Sequence, residues 1–389
     1  MNRKILCLFV VIFCVACKSE EPPSEQSGKL EQRQQPGKIL IHNAQIYTME
    51  RDFSTAVAML FDRSGKIHKL GDEKAMLKTY PDARRINLHG KTVIPGLIDS
   101  HAHLYQLAIS QSQAQLYGTT SIEEVIRRLR EHERRLNDGD WLLGGGWDQN
   151  DWPVKAFPDR KDLDMAFPDR PVWLSRIDGH AAWANSAALA MVDRDLSGDW
   201  QPQGGHIYRD VNDKASGVLV DGAMALVQKI VPEISPELLL ASLDLVLQQM
   251  LSLGLTGVHD LGINQSALEL YQQRIAAGQF PTRVYAFADG VGETMDWLCG
   301  NGAFEDESGR LTMRAVKLYI DGAMGSRGAA LLADYTDDAG NSGLLFMSAD
   351  DLEASIDKAL ACGLQVGVHA IGDRGNRVAL TALESSIER

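Results

Sequence analysis

From Gly254 onward the chain repeats one pattern: an apolar, β-branched run ends in polar residues, and a stretch of helical period follows. The runs are "GLTGVHDLG", "RVYAFADG", "AVKLYIDGAMG" and "QVGVHAIGD". The helical stretches are residues 265–278, 350–362 and 376–389, and a strong helix over 236–253, stopped by Gly254, leads in. Strands joined by helical crossovers run parallel, because each crossover returns the chain to the same end of the sheet. One more apolar run, residues 93–98 in "VIPGLIDSHAHL", stands upstream. The pattern predicts an α/β fold on a parallel sheet of barrel type.

Elsewhere the rhythm differs. Residues 38–48 alternate and are β-branched, and 56–70 read as a hairpin around "DRSGK"; together they predict a small β-domain. Residues 121–136 form a charged amphipathic helix with Ile122, Val125, Ile126 and Leu129 on one face. "DWLLGGGWDQNDWP" reads as a strand running into a Gly-Trp-Asp loop, and "PVWLSRIDGHAAWANSAAL" as a strand, a polar turn and a helix. "GGHIYRDVNDKASGVLVDG" reads as a hairpin.

The first residues, "MNRKILCLFVVIFCVACKSE", join a basic start to an apolar run over 5–16 that is too short to span a bilayer. This marks residues 1–16 as an export signal. Its end, "CVAC", resembles a bacterial lipobox with Cys17 as the lipidated residue, although Cys14 stands where the pattern usually has Leu; an ordinary secretory signal is the alternative. Residues 17–37, rich in Pro, Ser, Gln and Glu, read as a disordered tether. The expected location is the bacterial envelope, at the outer membrane facing the periplasm, with the lipid as the one contact to the membrane. Cys299 and Cys362 are expected as two isolated buried thiols, a disulfide being the alternative in an oxidising compartment. The 389 residues are 44% hydrophobic, enough for a large core. A net charge of −13 without a Lys/Arg block argues against a nucleic-acid partner.

Three strand ends carry chemistry. His101 and His103 are two apart, so in a strand they share a face, and Asp99 shares it with them. Two imidazoles on one face suit a divalent cation; two surface histidines are the plainer alternative. Lys317 lies inside the apolar strand "AVKLYI", where a charged ammonium is costly. Either its head reaches the strand end, or it stays neutral and reactive, open to carboxylation by CO2. His369 closes "QVGVH" before a Gly-Asp turn. Taken together, the three point to a His-rich site for Zn²⁺ or a similar borderline metal.

"VIPGLIDSHAHL" resembles the first barrel strand of the amidohydrolase superfamily. "GGGWDQNDWP", "DGHAAWANSAAL", "VKLYIDGAMGSRGAAL" and "VGVHAIGDRGN" resemble its YtcJ-like amidohydrolase 3 branch, which includes N-substituted formamide deformylase. The resemblance covers residues 38–389. It implies a TIM-like (β/α) barrel flanked by a β-sandwich, with an inserted subdomain. Here that becomes a partial sandwich over 38–92 and a barrel from 93, with the insertion at about 138–235. It implies two metal ions, zinc foremost, held by His101, His103, a carboxylated Lys317 and His369, and hydrolysis of an amide or formamide C–N bond in a small molecule. Substrate contacts are assigned to Trp147 and Asp148, with Trp152 beside them, the alternative being a loop packed by its own aromatics; to His180, which otherwise fixes its own turn; and to Arg327, which otherwise pairs with a neighbouring acid. His259 is assigned a structural part and Asp373 an indirect one.

A barrel of this kind closes with eight strands, and five are found. The family pattern also requires a sixth-strand histidine and an eighth-strand aspartate that acts as general base. Neither is found, so the chain reads as a fragment, with little or no turnover expected of it, a natural short form completed by a second chain being the alternative. The alternatives are a non-catalytic envelope binding lipoprotein on the same fold and a lactonase- or phosphotriesterase-like hydrolase.

Overall fold

A computed structural model describes residues 37–62 and 64–387; the expected export signal, Cys17 and nearly all of the expected tether lie outside them. The chain divides into two compact units, residues 1–95 and 96–389.

In the first unit, strand Ile39–Tyr47 lies at the centre of a five-stranded sheet. It pairs antiparallel with Thr55–Ala56 and Ala58–Phe61, and parallel with Arg84–Val93. Ile67–Gly71 extends the sheet beyond Ala58–Phe61. Leu40 and Leu60 pack on one face with Met76 of helix Glu73–Thr79, and a bulge between His42 and Ala44 turns Ala44 and Ile46 to the other, beside Met59. Asp72 caps that helix by accepting the Ala75 N–H at 2.9 Å. Where part of a sandwich is expected, the described residues form one sheet with one helix against it.

The second unit holds two sheets. Its parallel sheet runs Leu97–Ala102, Leu255–Ile263, Arg283–Asp289, Leu311–Tyr319, Gln365–His369, in the order of the sequence. Between the strands lie the helices that the periodicity predicts. Pro236–Ser252 opens with Ser235 as cap and proline in its first turn. Asn264 caps Gln265–Ala276, and Ser348 caps Ala349–Ala361. The sheet is open. Its first strand has one strand partner among the described residues, and Ile98 there is 62% exposed. The upstream apolar run is not one strand, as expected, but is broken at Pro95. Arg84–Val93 ends in the first unit's sheet and Leu97–Ala102 begins the parallel one, because proline has no N–H to give a ladder.

The second sheet is mixed and six-stranded, and in sequence it falls between the first two parallel strands. Its order is Gly205–Arg209, Ala215–Asp221, Ala181–Ala184, Val172–Arg176, Leu142–Trp147, Ala114–Gln115. The strand Ala181–Ala184 was not legible, since alanine-rich runs carry little β signal. Cys299, in helix Glu293–Asn301, and Cys362, at the end of Ala349–Ala361, form a disulfide with Cα atoms 5.0 Å apart. Two isolated thiols were expected; the two helix ends pack close enough to bridge. Among the described residues, no helix is long and apolar enough to cross a membrane.

Candidate active site

The C-terminal ends of the parallel strands gather the singled-out residues. His101 is in the first strand and His103 just beyond it, with ring centres 5.6 Å apart. Lys317, 4% exposed, sits opposite Asp289 in the ladder, its Nζ 5.4 Å from the Tyr319 ring. The Tyr319 hydroxyl donates to Asp289 Oδ1 at 2.9 Å. Gly262, at φ 101°, leaves room for that hydroxyl, which a methyl group would crowd at 2.7 Å. His369 ends the fifth strand, and its Nε2 lies 3.2 Å from the Gly322 carbonyl. His180 arrives from the second sheet, its ring centre 4.9 Å from that of His369 and its Nδ1 2.7 Å from Asp221 Oδ1.

Electrostatics ties the group to Lys317. Burial draws His101, His103 and His369 below the ordinary histidine value, and the Lys317 charge pushes each further down. Burial lowers Lys317 itself, against the pull of Asp289. His180 goes the other way. Burial opposes its charge, but the Asp221 carboxylate, with Asp178 and Asp321, prevails and raises it.

The donor chemistry fits a divalent cation. His369 turns its Nε2 to the Gly322 carbonyl. A carbonyl only accepts, so that nitrogen carries the proton and the other presents a lone pair, the usual disposition of a metal-ligating histidine. Two imidazoles sharing a cation at about 2.1 Å have ring centres roughly 5 Å apart, close to the 5.6 Å of His101 and His103. Among the described residues, however, no three His, Cys, Asp or Glu side chains converge as a ready-made group. The cluster is two imidazole pairs and a lysine.

Residues 84–389 match the Amidohydro_3 profile of the amidohydrolase family. The chain belongs to the amidohydrolase family. Over 360 residues it is 34% identical to YtcJ of Bacillus subtilis (strain 168), covering 89% of this chain and 66% of that one. It is 28% identical to the N-substituted formamide deformylase of Arthrobacter pascens over 364 residues, 89% of this chain and 66% of that. Protein LONG AFTER FAR-RED 3 of Arabidopsis thaliana is 32% identical over 89% of this chain and 61% of its own length. The chain thus spans less than two thirds of these relatives. Among solved structures, an uncharacterized metal-dependent hydrolase from Pyrococcus horikoshii OT3 superposes with TM-score 0.68 at 29% identity, covering 90% of this chain and 68% of that one. Its counterpart from Pyrococcus furiosus gives 0.66 at 29%, covering 90% and 70%.

In this amidohydrolase, of the four side chains assigned to substrate, His180 alone reaches the histidine cluster. Trp147 is fully buried, gives its indole N–H to Leu174 O at 2.8 Å and packs on Trp152 and Trp183. It fills the second sheet's core rather than facing a ligand. Asp148 pairs with buried Arg176 and accepts the Asn150 N–H at 2.9 Å. Arg327 pairs with Asp337 and donates to the Gly325 carbonyl. Asp99 accepts the His101 backbone N–H at 3.0 Å, and His259 packs beside Tyr285. Beside His180 opens a cavity of about 300 Å³, lined by Gln203, Asp221, Met224 and Phe346 among others.

Several residues escaped the sequence reading: Asp221, Asp260, Asp289, Tyr319 and Asp321. The signal was present in "LVDG", "GVHD", "AFAD" and "LYID", where an aspartate closes each apolar run. Asp221 adopts a left-handed φ of 48°, costly without glycine. Its second oxygen is buried without a partner and pressed between Gly322 and Gly328, where a side chain would collide with it.

Proposed function

We propose that this chain carries the metal-holding part of a hydrolase site for amide or formamide C–N bonds in small molecules. The observation that supports it most is three depressed histidines sharing one buried lysine at the ends of parallel strands. His101, His103 and His369 would supply nitrogen ligands. Lys317, whose charged form burial disfavours, would give up its proton to water and add to CO2 as the free amine: its lone pair forms the N–C bond, one C=O π pair moves onto oxygen, and a second N–H proton leaves to water. The resulting carbamate would supply oxygen ligands. The metal, once bound, supplies a water acidic enough to be a nucleophile at neutral pH. His180, held by Asp221, would hydrogen-bond the substrate, whose remainder fits the adjoining cavity.

The test is metal content and turnover together. The purified chain, equilibrated with zinc and bicarbonate, should retain metal, and His101→Ala, His103→Ala and Lys317→Ala should each reduce it. Turnover should be slight, since no general-base aspartate is found, and what there is should favour N-substituted formamides over lactones and phosphotriesters. Unchanged metal content in the variants removes the site. Lactone turnover alone selects the lactonase alternative, and metal-independent ligand binding selects the binding-protein one.

We infer also that the protein is exported and anchored through Cys17. The basic-apolar leader supports this, as does the Cys299–Cys362 bridge, since disulfides persist in oxidising compartments. Cys17→Ala should move the protein from the membrane fraction to the soluble one. An unchanged distribution contradicts the anchor.

A further inference from the structure

Two aspartates that take no part in the proposed metal set do the same job at opposite edges of the parallel sheet. Asp260, fully buried in strand Leu255–Ile263, accepts the Leu104 N–H at 2.9 Å and the Tyr271 hydroxyl at 2.7 Å. Leu104 directly follows His103. Asp321, fully buried just after strand Leu311–Tyr319, accepts the N–H groups of Ile371 at 2.9 Å, Gly372 at 2.8 Å and Ala330 at 2.9 Å. Ile371 and Gly372 closely follow His369. In each case the carboxylate comes from the neighbouring strand and grips the backbone just downstream of a candidate ligand.

We propose that Asp260 and Asp321 are positioning residues that fix the His101–His103 and His369 strand ends for metal binding. The metal half of this rests on the function proposed above.

The physical case is one of over-determination. A strand end followed by a loop is free to swing unless its backbone donors are held, and an edge strand has neighbours on one side to hold it. Charge-assisted hydrogen bonds from backbone N–H to carboxylate are short and strong, and burial removes the water that competes for them. The surroundings are shaped for the second carboxylate: a side chain at Gly375, in the first turn of helix Asp373–Ile387, would collide with Asp321. The first carboxylate is backed by Tyr271, itself fully buried in helix Gln265–Ala276. Neither aspartate needs to touch the cation. Each acts through the backbone that carries an imidazole, and groups of that kind typically change metal affinity by about 10- to 100-fold.

Asparagine is the near-isosteric probe. At position 321 its NH2 faces a backbone N–H whichever way it turns, and at position 260, where the Tyr271 hydroxyl can turn to accept, it removes the carboxylate charge that strengthens the bond to Leu104. The metal-free full chain is titrated with cobalt(II), following its visible absorption, and backbone amide exchange is read alongside. Asp260→Asn should speed exchange at Leu104, and Asp321→Asn at Ile371 and Gly372. Both should weaken cobalt binding by about 10- to 100-fold with an altered band shape. Leu129→Ala, which empties a buried site in helix Ile122–Glu133 of the other core, is the control for general destabilisation and should leave cobalt affinity unchanged. Wild-type cobalt affinity in both asparagine variants overturns the positioning role, as does an equal loss in Leu129→Ala. Should Asp260→Asn fail to fold, Tyr271→Phe removes one partner of the same carboxylate. Faster Leu104 exchange with a few-fold affinity loss then supports the role, and no change in either overturns it. A wild-type chain that binds no cobalt sinks the metal site. The exchange data then decide alone: local loosening supports the grip on the strand ends, and its absence ends it.

Discussion

Burial pushes the Asp260 carboxyl up to about 6, against the lowering effect of its bonds to Tyr271 and Leu104. The ionisable groups facing it are Tyr271, Tyr105 and Tyr319, all raised and neutral near pH 7. A carboxyl raised in the folded state holds its proton more tightly there than in the unfolded chain. Its stabilising contribution is complete below the ordinary value of 3.8 and is lost as pH rises through about 6. Urea midpoints measured between those limits should therefore fall for the wild type relative to Asp260→Asn as pH rises; a constant gap contradicts the shift. Trp147 gives the opposite kind of prediction. Trp147→Ala should cost about 3–5 kcal/mol in urea unfolding, the usual scale for emptying a large aromatic site, with cobalt affinity retained. Sequence pattern showed a tryptophan in a glycine-rich loop and could not show which way it faced. The loop's Asp148 was equally readable as a ligand contact, because its partner Arg176 lies in another strand and no local spacing links the two.

Element by element, the strands with strong β-branched runs and the capped helices stood out in the sequence, because period and caps are local properties. What stayed hidden is set by partners distant along the chain. Cys299 and Cys362 are 63 residues apart, and their pairing depends on how two helix ends meet. Closing a loop of that length restricts the unfolded chain, and about 2–4 kcal/mol is the common scale. Reduction, or the double change Cys299→Ser and Cys362→Ser, should lower the melting temperature by several degrees, measured against the oxidised protein. An unchanged melting temperature shows the bridge to be idle. The histidine cluster was legible as separate strand ends, since a residue type that violates an apolar run shows itself. The aspartates that fix those ends were not, because an aspartate after a strand also reads as an ordinary turn.

At the scale of the whole molecule, the open sheet leaves apolar surface at its first strand, with Leu97 at 49% and Ile98 at 62% exposure. An exposed strand edge of this kind is a template for unwanted pairing. Ile98→Lys should reduce aggregation seen by light scattering while leaving the far-ultraviolet circular dichroism unchanged; equal aggregation means that the edge is protected in solution. The second sheet enters the chain between the first two parallel strands, and it brings His180 and Asp221 to the fifth strand's histidine. On the function proposed above, lone-pair donors and molecular selectivity would fall to separate stretches of polypeptide. Drift in the Gly205–Asp221 hairpin would then alter which guests are welcomed without disturbing the strand tips proposed to hold the cation, so that such a scaffold could change its diet while conserving its chemistry.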